Sequence, residues 1–346
     1  MNTKAKLALL TAAGIGAAIA VRRSRKPEQF EFRGKAVLIT GGSRGLGLVL
    51  ARLLAEEGAR LTIVARDRAE LEQARQDLVA RGAEVLAFPC DVRDQREAQG
   101  AVERTVARYG TIDVLINNAG VIQAGPLDHM QIADFEDALA THMWGPLYTM
   151  LAAVPHMRKQ GGGRVVNIAS IGGKVAVPHL VPYTTSKFAL VGLSDGMRAE
   201  LARDNITVTT VCPGLMRTGS HFNSLFKGQH SEEFTWFSIL DSLPISSIDA
   251  QRAARQIVEA CRRGDSQLVI SIQARLIATL APLFPGAAAR VMQLMNRMLP
   301  EPTAEQGDIA QTGWDSQSRL APSLLTRLSD RAAEENNGLH GHAPVT

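Results

Sequence analysis

The sequence predicts an α/β fold in which a doubly wound parallel sheet carries helices on both faces. Short apolar runs alternate with helical stretches along most of the chain, which is typical of right-handed βαβ units. With 346 residues and 45% hydrophobic content, the chain can bury one sizeable core. The predicted strands are residues 36–40, 61–65, 85–89, 114–116, 165–168, 208–212 and 268–272.

A glycine-rich turn joins the first predicted strand to the first predicted helix. It reads Gly41-Gly42-Ser43-Arg44-Gly45-Leu46-Gly47, between a run rich in β-branched residues and an apolar helical stretch. Glycines let the backbone turn sharply and approach a pyrophosphate, while the helix N-terminus offers N–H groups and partial positive charge. The context therefore predicts a dinucleotide site, and a tight turn without a ligand is the plainer alternative.

Tyr183 and Lys187 are four residues apart, so a helix would place both side chains on one face. A cationic Lys beside a phenol favours the phenolate and lowers the pKa of Tyr from about 10. Such a Tyr can exchange a proton with an oxygen near neutral pH. An isolated pair with this spacing would more often lie on an exposed helix, so the interpretation depends on the other motifs.

The motifs occur in an order that resembles the short-chain dehydrogenase/reductase family. The glycine turn matches T-G-x-x-x-G-x-G rather than G-x-G-x-x-G. The further matches are Asp91 and Val92, then Asn117, Asn118, Ala119 and Gly120, then Asn167, Ile168, Ala169 and Ser170, then Tyr183 and Lys187, and finally Pro213 and Gly214. The resemblance covers roughly residues 33–271. It implies a Rossmann-like sheet of about seven strands in a single catalytic domain, placed at residues 30–272, and homodimers or homotetramers.

The resemblance also implies the roles of the site residues. Tyr183 is the general acid or base, Lys187 holds the nicotinamide ribose and lowers the pKa of Tyr183, and Ser170 binds the substrate oxygen. The bound dinucleotide carries the hydride chemistry. The expected cofactor-binding residues are Thr40, Gly41, Ser43, Arg44, Gly45, Leu46, Gly47, Arg66, Asp91, Val92, Asn118, Ala119, Gly120, Tyr183, Lys187, Pro213 and Gly214.

One catalytic position departs from the family pattern. An Asn usually stands on the helix after the fourth strand and helps to hold a water next to the Lys, but this chain has His142 there. A His can bind water and titrates near neutrality, so His142 is a candidate catalytic residue in a proton relay. A buried, hydrogen-bonded His without a catalytic role is an equal alternative.

The end of the second strand favours NADP over NAD. NAD sites usually carry an acidic residue there, but position 65 is Ala. Arg66 follows it and Arg44 lies in the glycine turn, so two guanidinium groups could bind a 2′-phosphate. Asp67 keeps NAD open as an alternative.

An aromatic segment predicts the substrate class. Residues 222–237 hold Phe222, Phe226, Phe234, Trp236 and Phe237, out of 10 Phe, 3 Trp and 3 Tyr in the chain. An irregular segment this apolar is typical of a lid, and it favours an apolar lipid-, steroid- or terpenoid-like ketone, aldehyde or alcohol. The rings could instead anchor the lid to the body or to a second subunit.

Both ends of the chain carry membrane signals. Residues 1–29 comprise an apolar stretch, 7–21, and a basic linker, which predict a transmembrane helix as anchor with the catalytic domain in the cytoplasm. Its length of about 22 Å is short of a hydrocarbon core of about 30 Å. A secretory signal and a peripheral apolar helix are the alternatives. Residues 273–299 predict an amphipathic helical segment that lies on lipid, covers the substrate mouth or packs on the core.

The remaining features narrow the function classes. Residues 300–346 form a polar tail, for which we expect weak order apart from a helix near 320–334. The net charge of +4 and the dispersed basic residues do not indicate nucleic-acid binding, and no metal site is predicted. The alternatives to an NADP-dependent oxidoreductase are a nicotinamide-binding regulatory or scaffold protein and an epimerase or dehydratase on the same fold.

Overall fold

A computed structural model describes residues 30–243, 247–303 and 307–339, and a seven-stranded sheet lies at its centre. The strands are β1 Ala36–Thr40, β2 Arg60–Ala65, β3 Val85–Pro89, β4 Val114–Asn117, β5 Gly163–Ile168, β6 Ile206–Pro213 and β7 Gln267–Ile270. Their order in the sheet is β7-β6-β5-β4-β1-β2-β3, and every pairing is parallel. The predicted fold class is confirmed.

Helices alternate with these strands and cover both faces of the sheet. They are α1 Gly45–Glu56, α2 Arg68–Ala80, α3 Gln95–Tyr109, α4 Ile132–Leu139, α5 Gly145–Lys159, α6 Val181–Leu201, α7 His230–Ser242, α8 Ala250–Arg263, α9 Ile272–Leu283, α10 Pro285–Asn296 and α11 Arg327–Glu335. Helix α1 packs against α8, and α3 packs against α5. The strand order reverses between β1 and β4, which is where ligands bind in open α/β sheets.

A row of buried polar side chains marks the carboxyl edge of the sheet. Thr40, Asn117, Asn167 and Thr210 lie side by side on β1, β4, β5 and β6. Asn117 Nδ2 donates to Asn167 Oδ1 at 2.9 Å, and Asn167 Nδ2 donates to Ser194 Oγ of α6 at 2.9 Å. These bonds hold α6 in a fixed position relative to the strand ends.

The aromatic segment forms a second core with the C-terminal residues. Phe222, Phe226 and Phe234 are fully buried, and Trp314 stacks on Phe222 with ring centroids 4.3 Å apart. Three of the five rings therefore anchor the segment to the body. The segment is also more regular than predicted, because α7 begins at His230.

The described part of the polar tail is ordered against the domain, which corrects the expectation of weak order. Ala321 and Ala333 are buried in the same core, and α11 lies within the region where a helix was predicted to form. Single apolar residues spaced widely in a polar sequence show no periodicity. Their partners, Phe222 and its neighbours, are distant in the chain.

The structure describes the predicted C-terminal helical segment but not the predicted N-terminal anchor. Residues 1–29, with the predicted anchor, lie outside the described residues, and the proposed domain boundaries stay predictions. No helix in the described ranges is long and apolar enough to cross a membrane.

The segment 273–299 forms α9 and α10, which meet at Phe284, whereas Pro282 lies inside α9. The start of α9 packs on the core through the buried Ala274, whereas α10 has no buried residue.

Candidate active site

The glycine turn lies at the carboxyl end of β1, and its tight packing requires glycine. A Cβ atom on Gly47 would lie 2.0 Å from the carbonyl oxygen of Gly41, and one on Gly41 would lie 2.8 Å from Cα of Ala119. Gly41 also has φ +65°, which favours glycine. The first turn of α1 therefore sits directly against the end of β4.

The segment after β4 is tied to the same turn by hydrogen bonds. Asn118 Nδ2 donates to the carbonyl oxygens of Thr40 at 3.1 Å and Gly41 at 2.9 Å. Thr40 Oγ1 accepts from the N–H groups of Asn118 and Ala119 at 3.0 and 3.1 Å. Gly120 follows, and a Cβ there would lie 3.1 Å from the ring of His142. The motif residues after two different strands thus form one wall of the crevice.

The N-terminus of α1 fits a dinucleotide phosphate. Arg44 occupies the N-cap position and makes no side-chain capping bond, and the first-turn N–H groups have no acceptor within the helix. Gly45 has φ +55°, and its N–H already donates to the carbonyl of Asn336 at 2.9 Å, so a phosphate would bind through the other N–H groups of the turn. These residues would hold the pyrophosphate of a nicotinamide dinucleotide.

The residues near the adenosine end have distinct partners. Arg44 forms an ion pair with the buried Glu70, which also accepts from Ser43 Oγ at 2.9 Å. Asp67 caps α2, because its carboxylate accepts from the N–H groups of Ala69 and Glu70 at 2.8 and 2.9 Å. Arg66 is exposed. The carboxylate of Asp67, which left NAD as an alternative cofactor, is thus hydrogen-bonded to the N-terminus of α2.

The other predicted cofactor residues line the same edge of the sheet. Val92 is buried and would lie 3.1 Å from a Cβ on Gly145, while Gly214 follows β6 and its N–H donates to the carbonyl of Ile270. The Asp91 carboxylate is engaged by Arg93. Burial alone would raise the pKa of Asp91, but the hydrogen bonds from Arg93 hold it below its ordinary value.

Ser170, Tyr183 and Lys187 come together beyond β5. Ser170 follows β5, where its Oγ accepts from the N–H of Gly172 at 3.0 Å and it forms a hydrogen bond with Tyr183. Tyr183 and Lys187 lie on one face of α6, with Lys187 Nζ 5.5 Å from the centre of the Tyr183 ring. Lys187 Nζ also donates to the carbonyl of Ile168 at 3.0 Å. The constellation predicted from the motifs is assembled.

The pKa values of this cluster differ from the expectation. Burial raises the pKa of Tyr183, and the hydrogen bond with Ser170 opposes that shift only in part. Burial also lowers the pKa of Lys187 to about 7. An amine with that pKa is only partly charged at neutral pH, so the prediction that it lowers the pKa of Tyr183 is wrong for this structure.

His142 lies in a π-helical turn, Ala140–Trp144, between α4 and α5. Its Nε2 accepts from the N–H of Val121 at 3.1 Å, and its Nδ1 is 2.7 Å from Ser186 Oγ. Ser186 Oγ donates to the carbonyl of Tyr183 at 2.7 Å, so the ring carries its proton on Nδ1. Burial lowers the pKa of His142 well below 6.5. A neutral ring with both nitrogens engaged favours the alternative of a buried, hydrogen-bonded His without a catalytic role over the relay.

Two groups at the site carried no motif in the sequence. Ser186, inside the Tyr183–Lys187 spacing, links His142 to the backbone of α6. The C-terminal residues Asn336 and Asn337 contact the glycine turn: the N–H of Gly45 donates to the carbonyl of Asn336 at 2.9 Å, and Asn337 Nδ2 donates to the carbonyl of Ser43 at 2.9 Å. No local signal identifies contacts between residues so far apart in sequence.

A cleft opens beside the loop between Ser170 and Tyr183. It has a volume of about 520 Å³ and is lined by Pro178 on one side and by α10 residues such as Met292 on the other. This places α10 next to the loop that begins at Ser170.

Comparisons with known proteins agree with this geometry. The profile of the short chain dehydrogenase family matches residues 35–226. A dehydrogenase/reductase SDR family protein 7-like of Anopheles gambiae is 32% identical over 260 residues, covering 74% of this chain and 77% of that protein. The ketoacyl reductase HetN of a Nostoc strain is 38% identical over 181 residues, covering 52% and 63%. A solved short-chain dehydrogenase from Streptomyces avermitilis has a TM-score of 0.66 at 28% identity, covering 76% of this chain and 98% of that one.

Proposed function

Since the chain belongs to the short-chain dehydrogenase family and is an oxidoreductase, we propose that it interconverts a ketone or aldehyde and an alcohol, with Tyr183 as the general acid and base. The observation that carries this proposal is the convergence of Ser170, Tyr183 and Lys187 beside the glycine turn. A bound dinucleotide would supply or accept the hydride.

The chain's own residues have separate tasks. The hydroxyl group of Ser170 orients the substrate oxygen, which lies within reach of Tyr183. Burial raises the pKa of Tyr183, so its phenol is protonated at neutral pH and can donate that proton to a carbonyl oxygen. Lys187, whose amine donates to the carbonyl of Ile168, would hold the nicotinamide ribose of a bound dinucleotide. This protonation state favours the reduction of a carbonyl.

NADP is the proposed cofactor. Arg66 is exposed at the end of β2, where it can bind a 2′-phosphate, and Asp67 is engaged in capping α2. Arg44 contributes less because Glu70 already balances its charge. The absence of a carboxylate at Ala65 supports the same choice.

An apolar carbonyl compound is the proposed substrate class. Pro178, Ala289 and Met292 form the apolar part of the cleft beside the loop between Ser170 and Tyr183, which Gln293, Asn296 and Arg297 also line. Helices α9 and α10 also expose large apolar side chains, although three of the aromatic rings first considered for the substrate site are buried in a separate core.

The experiment that tests the proposal is NADPH consumption with a panel of hydrophobic ketones, wild type against Tyr183→Phe. We expect turnover by the wild type and a rate lower by at least about 10²-fold in the variant, with NADPH binding unchanged. If the wild type binds NADPH but reduces no ketone, the result favours the alternative of a regulatory or scaffold protein. If Tyr183→Phe retains full activity, the proposed mechanism fails.

We also propose that residues 7–21 anchor the protein to a membrane with the catalytic domain in the cytoplasm, and that the chain forms a homo-oligomer. The basic linker after residue 21 supports the orientation. Leu151 on α5 and Phe188 on α6 are large apolar side chains left exposed, which supports self-association. Fractionation of cells and sedimentation of the purified protein test the two statements separately.

A further inference from the structure

The helices α9 and α10 form an apolar hairpin that the other described residues leave largely exposed. Its exposed side chains include Leu276, Leu280, Leu283, Phe284, Val291 and Leu294. Leu283 and Phe284, at the junction of the helices, are 66% and 60% exposed. Soluble proteins rarely leave so large a contiguous apolar patch in water, so this surface calls for a partner.

The charges of the hairpin indicate the chemistry of that partner. Between Asp265 and Glu301 the chain contains no acidic residue, and its charged residues are Arg275, Arg290 and Arg297. A surface that combines large apolar side chains with arginines and lacks carboxylates is complementary to the interface of a bilayer with anionic lipids. A protein partner with an apolar groove would more often be matched by charges of both signs.

The dimensions of the hairpin determine how it can meet a bilayer. Each helix has 12 residues and is therefore about 18 Å long, too short to cross a hydrocarbon core of about 30 Å. Helices of this kind lie in the interface with the apolar face at the boundary between headgroups and acyl chains. The hairpin can thus dock on a membrane but not span it.

We propose that the α9–α10 hairpin is a membrane-docking surface that inserts Leu283, Phe284 and their neighbours into the interface of a bilayer carrying anionic lipids. Arg290 and Arg297 then face lipid phosphates. Docking there is independent of residues 7–21, which would supply a second attachment, and two weak attachments hold a protein on a membrane better than one.

Docking in this orientation sets the position of the substrate entrance, a consequence that rests on the proposed function. Helix α10 lines the cleft with Met292 and Gln293, opposite Pro178 of the catalytic loop. The cleft therefore opens next to the lipid surface. An apolar carbonyl compound dissolved in the bilayer would then meet the protein next to the loop that joins Ser170 to Tyr183.

Site-specific labelling tests the proposal in the full-length protein. The three native cysteines, Cys90, Cys212 and Cys261, are buried, so a new surface cysteine can be labelled selectively. We would attach an environment-sensitive fluorophore at Phe284→Cys and, as a matched control, at Val79→Cys, which is also exposed but lies on α2. The vesicles contain phosphatidylcholine with or without phosphatidylglycerol, and brominated acyl chains serve as the quencher.

The expected result is a blue shift and strong quenching at position 284 with phosphatidylglycerol vesicles, little with phosphatidylcholine alone, and neither at position 79. Arg290→Glu with Arg297→Glu should abolish the preference for the anionic vesicles. Absence of quenching at position 284 while the protein sediments with the vesicles would mean that residues 7–21 alone attach it, and would overturn the proposal.

A second copy of the chain is the competing occupant of the hairpin. In that case the label at position 284 would shift to the blue in buffer without vesicles, and the shift would grow with protein concentration, which would also overturn the proposal. These readouts do not depend on turnover. The docking result can therefore be interpreted even if the protein reduces no ketone. The activity assay can likewise be interpreted even if the hairpin does not dock.

Discussion

The backbone N–H of Gly45 donates a 2.9 Å hydrogen bond to the carbonyl of Asn336, so the C-terminal segment contacts the first turn of α1, the helix that follows the glycine turn. Asn337 reinforces this contact, with Nδ2 donating to the carbonyls of Ser43 and Glu70 at 2.9 and 3.2 Å. The glycine turn is thereby held from both sides, by Asn118 after β4 and by the C-terminal segment.

Removing the Asn337 side chain should weaken NADPH binding. Asn337→Gly keeps the positive φ of 59° accessible and deletes two hydrogen bonds that shape the turn. At about 0.5–1.5 kcal/mol per bond, we expect the Kd for NADPH to rise several-fold, measured by titration calorimetry. Asn296→Ala, on exposed α10, is the control and should leave the Kd unchanged. Tighter binding in Asn337→Gly would mean that the segment competes with the cofactor instead of supporting its site.

Gly47→Ala should abolish cofactor binding. Its Cβ would lie 2.0 Å from the carbonyl oxygen of Gly41 and 2.6 Å from Asn118 Nδ2, so the turn must shift. The matched control is Gly100→Ala in α3, where no atom lies within 4 Å of the new Cβ and the change should stabilise the helix by roughly 0.5–1 kcal/mol. Urea unfolding and NADPH titration of both variants check this. NADPH affinity of wild-type strength in Gly47→Ala would contradict the proposed site.

Arg66→Ala should raise the KM for NADPH far more than the KM for NADH. The guanidinium is exposed at the end of β2, and its expected contact is the 2′-phosphate that only NADPH carries. Arg44→Ala should have the smaller effect because Arg44 is paired with Glu70. Steady-state kinetics with both nucleotides measure the ratio, and an equal effect of Arg66→Ala on the two would remove the argument for NADP.

The sequence identifies the parts of the site whose chemistry is local. The strand, glycine turn and helix at residues 36–56 and the Tyr183–Lys187 spacing are visible because each depends on near neighbours in the chain. By contrast, the partners of Phe222 and Gly45 are Trp314 and Asn336, and contacts that distant leave no periodic signal.

Two predictions about single groups also depended on burial, which the sequence does not show. The pKa of Tyr183 follows from how deeply the phenol and Lys187 are enclosed rather than from their spacing alone. The even choice between two roles for His142 could be narrowed only by finding its partners, Val121 and Ser186. The exposure of α9 and α10 is a third case, because an amphipathic pattern fits a core-packed helix equally well.

The hydroxyl of Tyr183 should titrate above pH 10 in the protein without cofactor. Burial raises its pKa, and Lys187 is only partly charged at neutral pH and less so above it. The chain has three Tyr, so the tyrosinate absorbance of the wild type minus that of Tyr183→Phe isolates this group. Tyr109, with a pKa raised to about 12 by burial, appears in both and cancels. A difference midpoint near pH 7 would restore the original prediction that the lysine lowers the pKa of Tyr183.

His142 should make the protein less stable in mild acid. Burial lowers its pKa in the folded protein well below 6.5, whereas in the unfolded chain the ring titrates near 6.5. Below pH 6.5 the unfolded chain therefore binds a proton that the folded protein does not. The free energy of unfolding falls as the pH falls, by up to about 1.4 kcal/mol per pH unit.

The comparison of wild type with His142→Asn isolates this effect. Charged Lys187 destabilises the folded protein, because burial lowers its pKa from 10.5 to about 7. That cost is present below pH 7, disappears as the pH rises from about 7 to 10.5, and is common to the wild type and the variant. Carboxylates are the same in both proteins and cancel. Between pH 7.5 and 5.5 we expect urea unfolding to show the wild type losing about 1 kcal/mol more than the variant. Parallel curves would show that the ring is accessible to protons when folded, and a step in kcat that His142→Asn removes would then favour the relay.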